Sequence, residues 1–288
     1  MPVDNLRRAA LLMLGSGIMF AVMGAIVKRV SSTLPNEMVV FFRSSFGMLA
    51  LLVWIGHRGW HTVKTRRLRD HLVRSLFGLA AMYCFFYAIA HMPLAEATVL
   101  NYSTPLFIPF IAWFWLREPV PMRLRWILAM GFLGVLMLLK PGVGLYTPTA
   151  LVGLASGLLA AVAMVAVRHL SRSESSTCIV FYFTLVGCVV SSVPLLWAWQ
   201  SPSWELIGWL LAMGAAASAA QLMMTRAYSI APAAQVGPFA YSTAVFAGLF
   251  GWWLWGESFD WVSLGGALLI GAAGVLTVRY TARPPSVA

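Results

Sequence analysis

Arg43, Tyr83, Tyr87, Asn101, Tyr102, Gln221, Thr225, Tyr228, Tyr241 and Ser242 stand inside long apolar stretches of the chain. A guanidinium, phenols, carboxamides and small hydroxyls offer hydrogen bonds, so their chemistry is recognition rather than bond breaking. In helices, Tyr83 and Tyr87 lie one turn apart on one face, and Gln221, Thr225 and Tyr228 share a face in the same way. Polar groups inside a membrane must face a cavity or another helix. Each residue alone fits an interhelical hydrogen bond equally well. As a set, converging from several helices, they suit a small polar or aromatic ligand. Arg43 lies about seven residues into its stretch, roughly 10 Å deep at 1.5 Å per residue. Arginine at that depth costs several kcal/mol unless it is paired, hydrated or able to snorkel. Its planar fork suits a carboxylate, and tethering to Glu37 or to helix-end carbonyls is the structural alternative. Pro105, Pro109 and Pro238 interrupt backbone hydrogen bonding nearby, which frees carbonyls for contacts or kinks a helix for gating.

Other chemistries lack their residues. No GxxxxGK[ST] motif occurs. His57, His61, His71, His91 and His169 all fall at stretch ends, and Cys84, Cys178 and Cys188 show no metal-ligand or disulfide spacing. No metal or cofactor is expected. Carboxylates sit near stretch ends, with Glu96 placed to favour a helix N-terminus and Glu118 and Glu257 placed as helix-end ties.

These residues need a frame, and composition supplies it. Sixty per cent of the chain is hydrophobic, only 10% is charged, and mean hydropathy is +0.82. A soluble domain of this size could not hide so much apolar surface. Ten runs are long enough to span a bilayer, at 9–28, 36–56, 72–91, 94–116, 124–140, 149–168, 178–198, 205–225, 233–255 and 261–279. Pro93 and Pro232 separate runs that would otherwise fuse. Of the basic residues, sixteen fall at the termini and even-numbered loops and three on the other side, which puts both termini in the cytoplasm. The run from Arg58 to Arg74 reads as part of that topology signal and as a contact for anionic lipid. It has no aromatic partners, so no nucleic acid is expected despite the net charge of +11. Tryptophans cluster at run ends as an aromatic belt.

The chain also repeats itself. Pro93–Glu118 aligns without gaps on Pro232–Glu257, with eight of 26 positions identical, including Tyr102/Tyr241, Ser103/Ser242 and Glu118/Glu257. Ser16, Gly17 and Lys28 match Ser156, Gly157 and Arg168, while Arg43 matches Phe183. The halves are 9–140 and 149–279, joined by a Gly/Pro-rich hinge at 140–149. Five spans per half is an odd number, so the second half is inverted relative to the first. The expected fold is an all-α polytopic membrane protein of ten transmembrane helices, in two inverted five-helix repeats around a central cavity.

This pattern resembles the EamA family of the drug/metabolite transporter superfamily. The residues that carry the resemblance are Arg43, Pro93, Pro105, Glu118, Pro232 and Glu257, and it covers essentially the whole chain. It implies a basket of helices around a cavity and no enzymatic activity. It also implies alternating-access export of small metabolites, with amino acids or related zwitterions as the favoured cargo. Cationic drugs, nucleosides or vitamins are the alternative. A membrane-embedded enzyme or a scaffold is the competing class. Lipid and a small-molecule substrate are the expected partners, and homodimerisation stays open.

Overall fold

Backbone amides cannot stay unpaired in lipid, so apolar runs of this length resolve into helices. The computed structural model describes residues 3–116, 122–139, 148–170, 173–230, 237–258 and 261–281. All regular structure among them is helical. The first half comprises α1 (Val3–Val30), α2 (Asn36–Arg58), α3 (Leu68–His91), α4 (Leu94–Asn101), α5 (Thr104–Leu116) and α6 (Met122–Leu139). The second comprises α7 (Pro148–Leu170), α8 (Ser176–Ser192), the short α9 (Leu195–Ala198), α10 (Trp204–Ile230), α11 (Ser242–Trp255) and α12 (Trp261–Thr281). Segments of α1, α2, α3, α7 and α10 are long and apolar enough to cross a membrane, and shorter apolar stretches lie in α6, α8 and α12. The chain is an all-α, multi-pass membrane protein with a ten-span architecture.

The fourth and ninth spans are interrupted, beside Pro105 and over Pro238. The fourth is interrupted at Tyr102 and Ser103, between α4 and α5. Pro105 has no N–H to give to the carbonyl of Asn101, four residues back. The Thr104 hydroxyl donates to that carbonyl instead, at 2.7 Å. The ninth span opens as a 3₁₀ turn over Gly237–Tyr241 before α11. The hinge residues 140–147, Glu118 and Pro232 lie outside the described residues.

The halves pack reciprocally. α1 lies on α10 and α3 on α7, so the first span of each half meets the third span of the other. Like spans also pair with each other, α2 with α8 and α6 with α12. Matched small residues allow close approaches. A Cβ on Gly17 would lie 2.6 Å from the Ser242 hydroxyl, and one on Gly157 would lie 2.7 Å from the Ser103 hydroxyl and the Leu100 carbonyl.

Burial follows the same plan. Met38, Phe86, Ile89, Leu94, Leu210 and Met213 form one core cluster, and Leu100, Leu106, Leu128 and Ile270 form another. Leu158, Val189 and Leu268 face outward, as a lipid-facing surface requires. Trp126, Trp197, Trp204 and Trp261 are exposed near helix ends, which suits interfacial anchoring.

Candidate functional site

The interrupted fourth and ninth spans bring the matched tyrosines together. The rings of Tyr102 and Tyr241 are 6.3 Å apart, and the Tyr102 hydroxyl donates to Thr243 Oγ1 at 3.1 Å. Ser242, next in the chain, has a buried hydroxyl without a partner among the described residues. Asn101 instead binds across to α7, where its Nδ2 donates to Ser156 Oγ at 3.0 Å. Ser156 in turn donates to the Gly153 carbonyl at 2.6 Å. Asn101 therefore makes the interhelical bond that was its alternative role.

The α3 tyrosines diverge. Tyr83 packs against the larger core cluster with its hydroxyl buried and without a partner among the described residues. Tyr87 is exposed and stacks on His91, with ring centroids 4.2 Å apart. A one-turn spacing puts two Cβ atoms on one face, but a helix end lets the second ring swing out. Gln221 is half-buried in α10. The side chains of Thr225, Tyr228, Pro109 and Pro238 lie outside the described set.

Arg43 is buried, only 6% exposed, with its guanidinium carbon 5.3 Å from the Phe183 ring centroid on α8. No ion pair or hydrogen bond to Glu37 or to a helix-end carbonyl forms among the described residues. Its Nε is buried without a partner.

Arg74 corrects the reading of the basic run as a surface signal. It turns inward from α3, is 9% exposed, and lays its guanidinium carbon 3.8 Å from the same Phe183 ring. Its Nε and Nη1 have no partner among the described residues. Each arginine is followed by a fully buried serine, Ser44 or Ser75, whose hydroxyl also lacks a partner there. Cation–π contact offsets part of the burial cost but offers no acceptor. The sequence held one sign of this. Gly78 lies one helical turn after Arg74, and a Cβ there would stand 2.8 Å from Arg74 Nη1. The glycine leaves room for the guanidinium.

A second charged cluster gathers the ends of α1, α3 and α11. Gly256 adopts a left-handed φ of 64°, and its N–H and that of Glu257 return to the last turn of α11. That turn aims Glu257 back across the bundle. Glu257 Oε1 pairs with Lys28 Nζ, and Oε2 accepts from the Leu94 backbone N–H at 2.9 Å. Lys28 also donates to the Met92 carbonyl at 2.8 Å. Glu257 thus caps α4 from across the bundle. Glu96 lies in the first turn of α4, where its charge favours the helix, and also accepts from Ser263 on α12 at 2.7 Å.

Three possible metal-ligand atoms converge where sequence spacing gave no hint of it. Those of His71, Glu174 and Cys178 lie within 4.8 Å of one another. Glu174 accepts from Thr65 at 2.7 Å, and His71 lies 3.8 Å from the Cys178 sulfur. Charges of both signs stand near His71: Glu174 and Asp70 on one hand, Arg74 and Arg67 on the other.

Comparison with known proteins now supplies the family. The model of the EamA-like transporter family matches residues 7–140 and again 147–279. The pseudopaline exporter of Pseudomonas aeruginosa is 36% identical over 282 residues, covering 97% of this chain and 99% of that protein. An S-adenosylmethionine uptake transporter of Rickettsia felis is 28% identical, covering 84% and 83%. A solved crystal structure at 19% identity superposes with a TM-score of 0.65, covering 96% of this chain and 99% of that one, and supports the fold. The chain belongs to the EamA-like transporter family, as a membrane transporter of small metabolites and not an enzyme.

Proposed function

We propose that this transporter exports a small polar metabolite bearing carboxylate across the inner membrane, by alternating access between its two halves. Arg43 carries the reading. A permanently charged buried guanidinium, with no anion paired to it among the described residues, calls for one from the cargo. Reciprocal packing of residues 9–140 and 149–279 supports exchange of conformations between halves. Charge bias supports cytoplasmic termini. The relatives' named cargoes, pseudopaline and S-adenosylmethionine, favour the wider metabolite alternative over free amino acids. The greater similarity to a named exporter supports outward transport.

Counterflow in proteoliposomes tests this without knowledge of the driving force. Vesicles preloaded with pseudopaline should take up the labelled compound, and free amino acids should compete poorly. Arg43→Lys keeps the charge but loses the fork, and should impair a carboxylate-bearing cargo more than its amide. Equal losses for acid and amide would overturn the carboxylate assignment.

A further inference from the structure

Resting on that reading of Arg43, we infer that the site holds two acid groups of one cargo molecule, the second at Arg74. Both guanidiniums lie over one ring, Phe183, where α8 packs against α2 and α3. They reach it from opposite directions. Arg43 follows the start of α2 at Asn36, and Arg74 follows the start of α3 at Leu68. Successive spans enter from opposite faces, so each arginine stands about 10 Å from its own face at 1.5 Å per residue.

The cluster is asymmetric and unbalanced. The repeat places Phe183 where the first half has Arg43, so the second half contributes a ring and no charge. The acids with partners among the described residues are engaged elsewhere. Glu257 holds Lys28, Glu205 holds Arg29, and Asp70 holds Arg67. Glu96 and Glu174 take hydroxyl donors. One carboxylate from the cargo would leave one buried cation unmatched. Two would neutralise both, and would meet the buried Nε of Arg43 and the Nε and Nη1 of Arg74. Both guanidinium carbons stand within 5.3 Å of one ring centroid, so the two acid groups of the cargo must be close enough to reach the same ring. The site selects cargo with two acid groups.

Thermal stabilisation of the full-length protein in detergent, in phosphate-free buffer, tests this. The probes are glutarate, its monoamide, its diamide and inorganic phosphate. Glutarate should bind the wild type at least about tenfold more tightly than the monoamide, and the diamide should not bind. Arg74→Gln should erase that difference while the monoamide still binds through Arg43. Arg74→Lys should keep a reduced preference, and it serves as the readout where Arg74→Gln does not fold. Equal binding of glutarate and monoamide, or an undiminished preference in Arg74→Gln or Arg74→Lys, would overturn the second acid group and leave Arg43 as a single-carboxylate site. Phosphate matching glutarate, with the same sensitivity to both arginines, would make this a free-oxyanion site and also overturn the inference. Binding of none of the acids would remove the carboxylate reading of Arg43 as well.

Discussion

Two groups of charges among the described residues differ in one respect: one is neutralised by described partners and the other is not. At the ends of α1, α3 and α11, Lys28, Glu257, the Leu94 N–H and the Met92 carbonyl satisfy one another. Between α2, α3 and α8, Arg43 and Arg74 share an aromatic ring and no described acceptor. A matched cluster holds helices together. An unmatched one costs stability unless something outside the chain completes it. On the proposed function, the matched cluster fixes a conformation and the unmatched one meets the cargo.

Breaking the matched cluster should have the largest effect on the fold. Glu257→Gln leaves Lys28 without its counter-charge and weakens the cap on α4. The cost should be about 2–4 kcal/mol, less than for a fully buried pair because both side chains keep some exposure. Thermal unfolding in detergent should register it as a drop in Tm, and a cysteine at Ser258 should label faster with an impermeant thiol reagent. An unchanged Tm would mean that this cluster is no tie.

Comparing matched glycines sharpens the contrast between the halves. Gly157→Ala would push a Cβ against the Leu100 carbonyl at 2.7 Å, whereas Gly17→Ala would meet the Ser242 hydroxyl at 2.6 Å and the Thr243 backbone at 3.3 Å. Backbone gives way less easily than a side chain. Gly157→Ala should therefore cost about 1–3 kcal/mol, and Gly17→Ala should cost less. Tm measurements on the two variants check the order.

The smallest effect belongs to Tyr102→Phe, which deletes one hydrogen bond to Thr243. It should cost about 0.5–1.5 kcal/mol in stability. A much larger loss in transport than in stability would show that the hydroxyl meets the cargo as well as Thr243.

The sequence made the architecture readable because two independent signals agreed. Hydropathy marked ten spans, and the repeat of Pro93–Glu118 in Pro232–Glu257 marked two halves. Pro105 announced an interruption, but its place at Tyr102 and Ser103 was not readable, because it rests on the Thr104 hydroxyl holding the Asn101 carbonyl. Arg43 stood out because apolar residues surround it. Arg74 was hidden by its neighbours, the end of a basic run whose obvious role is topology, and only the space left by Gly78 pointed inward. Tyr87 shows the opposite failure, because a shared helical face did not keep it with Tyr83.

If the interior arginines are kept for cargo and not for the fold, removing their charge should relieve the empty protein. The direct measurement is the Tm of the cargo-free Arg43→Gln/Arg74→Gln double variant, set beside its counterflow activity in the same preparation. The account predicts a Tm equal to or above wild type with transport of the carboxylate-bearing cargo lost. A markedly lower Tm, or transport that survives with the folded protein intact, would contradict it.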